Sequence, residues 1–177
     1  DISGVPSGNQ SATVIDAVNC HASISALVNE PAAYTLSFIS ASVLCAQNCD
    51  GSILVSTTGG VAPFTYLWND NLQQNTSLAA GLCAGTYSVV VNDANGCMVT
   101  GSAVVLSPSP LALTMSSTNT TICGGADGTA TIAVSGGTPP YEFSWSNGST
   151  LSSAINLPGG THYVTVLDSN DCVAYGS

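Results

Sequence analysis

Seven cysteines, two histidines and two Asp-Asn clusters are the residues of this 177-residue chain with chemistry to offer. Cysteine can ligate a metal, act as a nucleophile or form a disulfide, and spacing separates these uses. No C-x-x-C occurs, and neither His21 nor His162 stands near a cysteine pair at zinc-like spacing, although Cys20 adjoins His21. Disulfides formed in an oxidising compartment are the expected use. The clusters Asp93-Ala94-Asn95-Gly96 and Asp168-Ser169-Asn170-Asp171 offer the oxygens that calcium takes, with Asp93, Asn95, Asp168 and Asn170 as the ligand candidates. The same residues make Asx turns that close hairpins, and the later Glu of an EF-hand loop is missing. Turns, with no resident metal or other cofactor, are therefore the expectation. A Ser-His-Asp triad could be drawn among so many serines, but there is no G-x-S-x-G elbow, so no catalytic residue is assigned and no enzyme is expected.

Charge narrows the function classes further. The chain has no Lys or Arg against ten acids, a formal net charge of -10. Nucleic-acid binding depends on cations that neutralise phosphates, and binding to an anionic membrane needs a basic face. Neither partner is expected. No apolar run is long enough to span a bilayer, and no stretch reads as a signal peptide, so a mature or trimmed soluble chain is expected.

Those cysteines sit in a repeat. Residues 45 to 97 and 123 to 172 share Asp50-Gly51 with Asp127-Gly128, Gly59-Gly60 with Gly136-Gly137, Pro63-Phe64 with Pro140-Tyr141, and Trp68 with Trp145. Further on, Leu82 aligns with Leu157, Gly85 with Gly160, Tyr87 with Tyr163, Asp93 with Asp168 and Cys97 with Cys172, His162 being an insertion before Tyr163. Residues 12 to 31 align with 88 to 108, which makes Cys20 the counterpart of Cys97 in a partial copy. The expected organisation is 1–31, the closing strands of a preceding repeat or a donor strand; 32–108, a complete repeat; and 109–177, a repeat lacking its last strand. The proline-rich linker from Leu106 to Leu111 predicts a semi-rigid, extended arrangement.

Comparing copies also suggests cysteine pairs. Cys45 and Cys97 persist as Cys123 and Cys172, so pairing within each copy is expected: Cys45 with Cys97, and Cys123 with Cys172. Cys49 and Cys83 are replaced together, by Ala126 and Pro158, and are expected to pair. Cys20 is left unpaired, or with a partner outside the chain.

The elements that must position these groups read as strands. Runs such as Thr129 to Val134 and Tyr163 to Val166 alternate apolar and polar residues, with Gly, Pro and Asn-Gly punctuation between them and no helical stripe. Trp68 and Trp145 lie in such runs, two residues from Tyr66 and Phe143 on the same face, which predicts core tryptophans rather than sugar platforms. Tyr87 and Tyr163 are assigned to the core as a feature like a tyrosine corner. The fold class expected is all-β: tandem small immunoglobulin-like sandwiches stapled by disulfides.

The ordered motifs C-x3-C-D-G, G-G-x-x-P-[FY]-x-Y-x-W and L-x-x-G-T-Y-x-V-x-V-x-D-x-x-G-C resemble the SprB-type repeat of Bacteroidetes gliding-motility adhesins and related large surface proteins. The resemblance covers the middle copy fully, the last copy except its final strand, and the tail of the first. It implies display at the cell surface or in an extracellular filament, with neighbouring repeats or subunits as head-to-tail partners and no catalytic residue. Three functions follow from the residues and the resemblance together. One is an adhesin stalk module. Another is a filament subunit that polymerises by strand donation, and the last is a module that binds calcium or surface glycans.

Overall fold

A computed structural model describes residues 4–29 and 33–177 of the chain. The expected boundary between residues 31 and 32 lies outside them. The chain is a tandem of immunoglobulin-like β-sandwiches, and all regular structure among the described residues is strand.

In the middle copy one sheet has the order β3 (Thr35–Ala41), β4 (Gly51–Thr58), β6 (Leu78–Leu82), and the facing sheet has β5 (Thr65–Trp68), β7 (Gly85–Asn92), β8 (Met98–Val105). Every pairing is antiparallel. Period-two alternation decides what lies between the sheets. On β4 the residues Gly51, Ile53 and Val55 are buried while Leu54 faces out; on β7 Val89 and Val91 are buried. Trp68, 1% exposed, plugs the centre, and its indole Nε1 donates to the Thr76 carbonyl at 2.9 Å, which satisfies its one polar atom.

The last copy repeats this plan. Its sheets are β9 (Ala112–Thr118), β10 (Gly128–Ser135), β12 (Ser153–Leu157) and β11 (Glu142–Trp145), β13 (Val164–Leu167), β14 (Val173–Gly176). Trp145 is 4% exposed, and its Nε1 donates to the Leu151 carbonyl at 2.9 Å. The closing strand expected to be missing is present as the short β14, which pairs with β13 over four residues, where β8 pairs with β7 over eight. In the middle copy the far end of β8 delivers Val105 onto Gly51, so closely that a Cβ on Gly51 would lie 2.5 Å from Val105 Cγ1. In the last copy Thr118, Gly128, Trp145, Leu157 and His162 line a groove of about 650 Å³ beside the final residue, Ser177. Ahead of both copies, β1 (Gly8–Ile15) and β2 (His21–Val28) form a hairpin whose Gly8-to-Val28 register matches the Gly85-to-Val105 register of β7 and β8.

One expected core residue is corrected. Tyr163 is 63% exposed. Trp68 pairs with Val89 and Trp145 with Val164, so the residue matching Tyr87, two positions before the valine, is His162. His162 is therefore no insertion. Its Nε2 meets the Pro158 carbonyl at 2.9 Å, as the Tyr87 hydroxyl meets the Cys83 carbonyl at 3.1 Å. A shift of one residue reverses the face of a strand, which is why Tyr163 points to solvent.

Candidate functional site

Each copy has two poles. The chain arrives at a leading pole, where the β7–β8 turn and its counterpart lie, and leaves from a trailing pole, where the loop between the first two strands lies. The trailing loop carries the opening cysteine. It is tied down by Val43, whose N–H donates to the Leu106 carbonyl at 3.0 Å, and by Asp50, whose Oδ1 accepts the Leu44 N–H at 3.1 Å. Asp127 takes the same role in the last copy, accepting the Thr121 N–H at 3.1 Å together with the Thr121 hydroxyl. The hydroxyl of Thr121 is the main reason that the Asp127 carboxyl lies below the ordinary aspartate range. The Asp-Gly pair is thus a loop brace followed by a residue with no room for a side chain.

The leading turn carries the closing cysteine. Asp168 Oδ1 accepts the N–H groups of Asn170 and Cys172 at 2.8 and 3.0 Å, and Oδ2 accepts that of Thr138 at 2.8 Å. Asp93 accepts from Asn95 and Cys97 at 2.9 Å each and from Val61 at 3.2 Å. Asp16 repeats the local pattern with Val18 and Cys20, at 2.9 Å each. Burial alone would raise the carboxyls of Asp93 and Asp168, but these donated N–H groups outweigh it and hold both below the ordinary range. The carboxylate oxygens of Asp93 and Asp168 considered for calcium are therefore committed to backbone donors. Among the described residues no group of three or more His, Cys, Asp or Glu is arranged to hold a metal ion.

The poles of successive copies meet. Cys45, on the trailing loop of the middle copy, is disulfide-bonded to Cys172 on the leading turn of the last copy, with Cα atoms 5.6 Å apart. Asn170 Nδ2 donates to the Leu44 carbonyl at 3.4 Å and to the Thr138 hydroxyl at 3.1 Å, and the Cys172 sulfur lies 3.5 Å from the Leu44 oxygen. The expected pairs Cys45 with Cys97 and Cys123 with Cys172 are overturned; Cys97, Cys123 and Cys20 are free and exposed. The reason is distance. The eight residues of β7 separate the poles by about 25 Å at about 3.3 Å per residue, while bonded cysteines need Cα atoms within about 7 Å. Cys49 is joined to Cys83 inside the middle copy, across 34 residues of sequence.

The Asp-Gly brace, Gly-Gly-x-x-Pro turn and core Trp thus recur at equivalent positions in two copies, and the opening cysteine of the second lies one residue nearer its brace. Both copies match the SprB repeat. The matched residues are 37–73 and 116–150. No curated protein matches the chain. The matched stretches hold Cys45 and Cys123 but neither closing cysteine, so the junction joins a cysteine inside the first SprB match to one beyond the second. Sequence reasoning named Asp50 and Asp127 as matched repeat residues and Asn170 as a calcium candidate, but missed their roles as loop braces and as the bridge across the junction. Their signal was the recurrence of Asp and Asn close to the cysteines. Tyr34 was also missed: its hydroxyl donates to the carbonyls of Val91 and Cys97 at 2.6 and 2.9 Å, locking the leading turn to the start of β3, and the last copy has Leu111 in that place.

Proposed function

We propose that this chain is a non-catalytic spacer segment of a bacterial cell-surface adhesin, in which SprB repeats set the reach of a receptor-binding region carried elsewhere. The carrying observation is the Cys45–Cys172 bond, which ties the trailing pole of one repeat to the leading pole of the next. A spacer has to transmit load and keep its length, and a covalent tie at the junction opposes bending and separation there. The lack of Lys and Arg removes every cleavage site for trypsin-like proteases, which suits an exposed extracellular position. Small-angle scattering of the oxidised chain should give an elongated particle, and a glycan panel and calcium calorimetry should both stay silent. Saturable binding of a glycan or of calcium by these repeats would replace the spacer reading with a ligand-binding one.

A further inference from the structure

We infer that Cys97 and Cys123 are complementary half-sites for further junction staples, each bonding a neighbouring copy of the same repeat, so that a tandem of these repeats is covalently tied at every junction. Cys97 takes the opening cysteine of a copy on its leading side, and Cys123 takes the closing cysteine of a copy on its trailing side. The inference stands on repeat geometry and does not depend on the adhesin reading.

The formed staple shows what each half consists of. Its trailing half is Cys45 on a loop braced by Asp50; its leading half is Cys172 on a turn organised by Asp168. Cys123 sits on the same braced loop, held by Asp127, and Cys97 on the same turn, organised by Asp93. Asn95 stands where Asn170 bridges to Leu44; by its brace and by the turn that follows, Thr121 stands where Leu44 presents its carbonyl, and Cys123 lies one residue further along the loop than Cys45 does. Both free cysteines are exposed, whereas Cys45 and Cys172, covered by each other's repeat, are half-buried.

A head-to-tail contact uses two different surfaces of one module, so using one pair necessarily leaves one of each kind over. Here the leftovers are one trailing half and one leading half, at opposite outer poles, where they cannot reach each other within the chain. Cys20, on a turn organised by Asp16, is another leading half.

The bond is made by oxidation. Two thiols and one disulfide oxidant, such as oxidised glutathione, give the new S–S bond and two reduced oxidant thiols; the oxidant's S–S bond breaks and takes up the two electrons and two protons.

The test uses the full chain with Cys20→Ser in every variant, to remove the competing leading half. One variant adds Cys97→Ser and keeps only Cys123 free; the other adds Cys123→Ser and keeps only Cys97 free. Mixed in oxidised glutathione and mapped after cleavage at aspartate, the dimer joined Cys97 to Cys123 should exceed the like-with-like dimers by on the order of tenfold, as docking contacts of about 1.4 kcal/mol would give. A statistical mixture of dimers, or no dimer at all, overturns the inference. So does a Cys45-to-Cys97 bond mapped in the chain carrying Cys20→Ser alone, a measurement that does not depend on the other two variants folding.

Discussion

Cys45 and Cys172 are 127 residues apart in sequence and 5.6 Å apart at Cα, and the bond between them joins two separate hydrophobic cores rather than bracing either one. It is a joint between modules.

Closing a loop of that length stabilises by about 5 kcal/mol in the chain-entropy account. Cys45→Ser and Cys172→Ser should each lower the urea-unfolding free energy by a similar amount, at most that value, while Cys97→Ser should leave it unchanged. Equal damage from Cys97→Ser and Cys45→Ser would mean that the pair lies within one repeat.

The Cys49–Cys83 bond closes a shorter loop inside the middle repeat and should be worth about 4 kcal/mol there. Replacing both cysteines by alanine should lower the melting transition of that repeat alone. Calorimetry that shows both repeats shifting together would count against a purely local staple.

Trp68→Ala empties the centre of the middle core and strands the Thr76 carbonyl, at a cost of about 3–5 kcal/mol. Trp145→Ala should do the same to the last repeat. Tyr163→Ala should cost under about 0.5 kcal/mol in chemical denaturation, because its ring faces solvent.

Asp70, Asp93, Asp127 and Asp168 all have carboxyls held below the ordinary range. For Asp70, burial pulls the other way and the Gln74 side chain and N–H outweigh it. A carboxyl that is more acidic in the folded state contributes stability above the unfolded value of about 3.9, and that contribution is lost as pH falls through the folded value. The melting temperature should therefore hold steady from neutral pH to about 5 and fall below about 4. Asp93→Asn should flatten part of that fall, and an unchanged profile would show that the turn does not depend on the charge.

Gly136 has φ of +70°, and a Cβ there would lie 2.0 Å from the Pro110 carbonyl oxygen in the linker. Gly136→Ala must push the linker off the last repeat, costing about 1–3 kcal/mol in urea unfolding. Because that linker sets how the poles meet, the variant should also form the Cys45–Cys172 bond more slowly on reoxidation, which mass mapping against time would read.

Much of this architecture is local chemistry and was legible in the residues. Alternation along Gly51 to Thr58 and Gly128 to Ser135 determined strands with one buried face, and the Gly, Pro and Asp-Asn punctuation determined the turns, because each depends only on nearby backbone and side-chain preferences. The repeat itself was legible for the same reason. Tyr163 was misread because alignment by residue type preferred Tyr over His at a position that strand register assigns to His162.

What the sequence by itself could not determine was which cysteine meets which. Every repeat carries one opening and one closing cysteine, so pairing within a copy and pairing between successive copies leave the same internal pattern. Only the tertiary structure separates the two poles by the length of a strand and brings the trailing pole of one repeat onto the leading pole of the next. A disulfide forms where two sulfur atoms meet in space, and that is decided by how folded repeats stack.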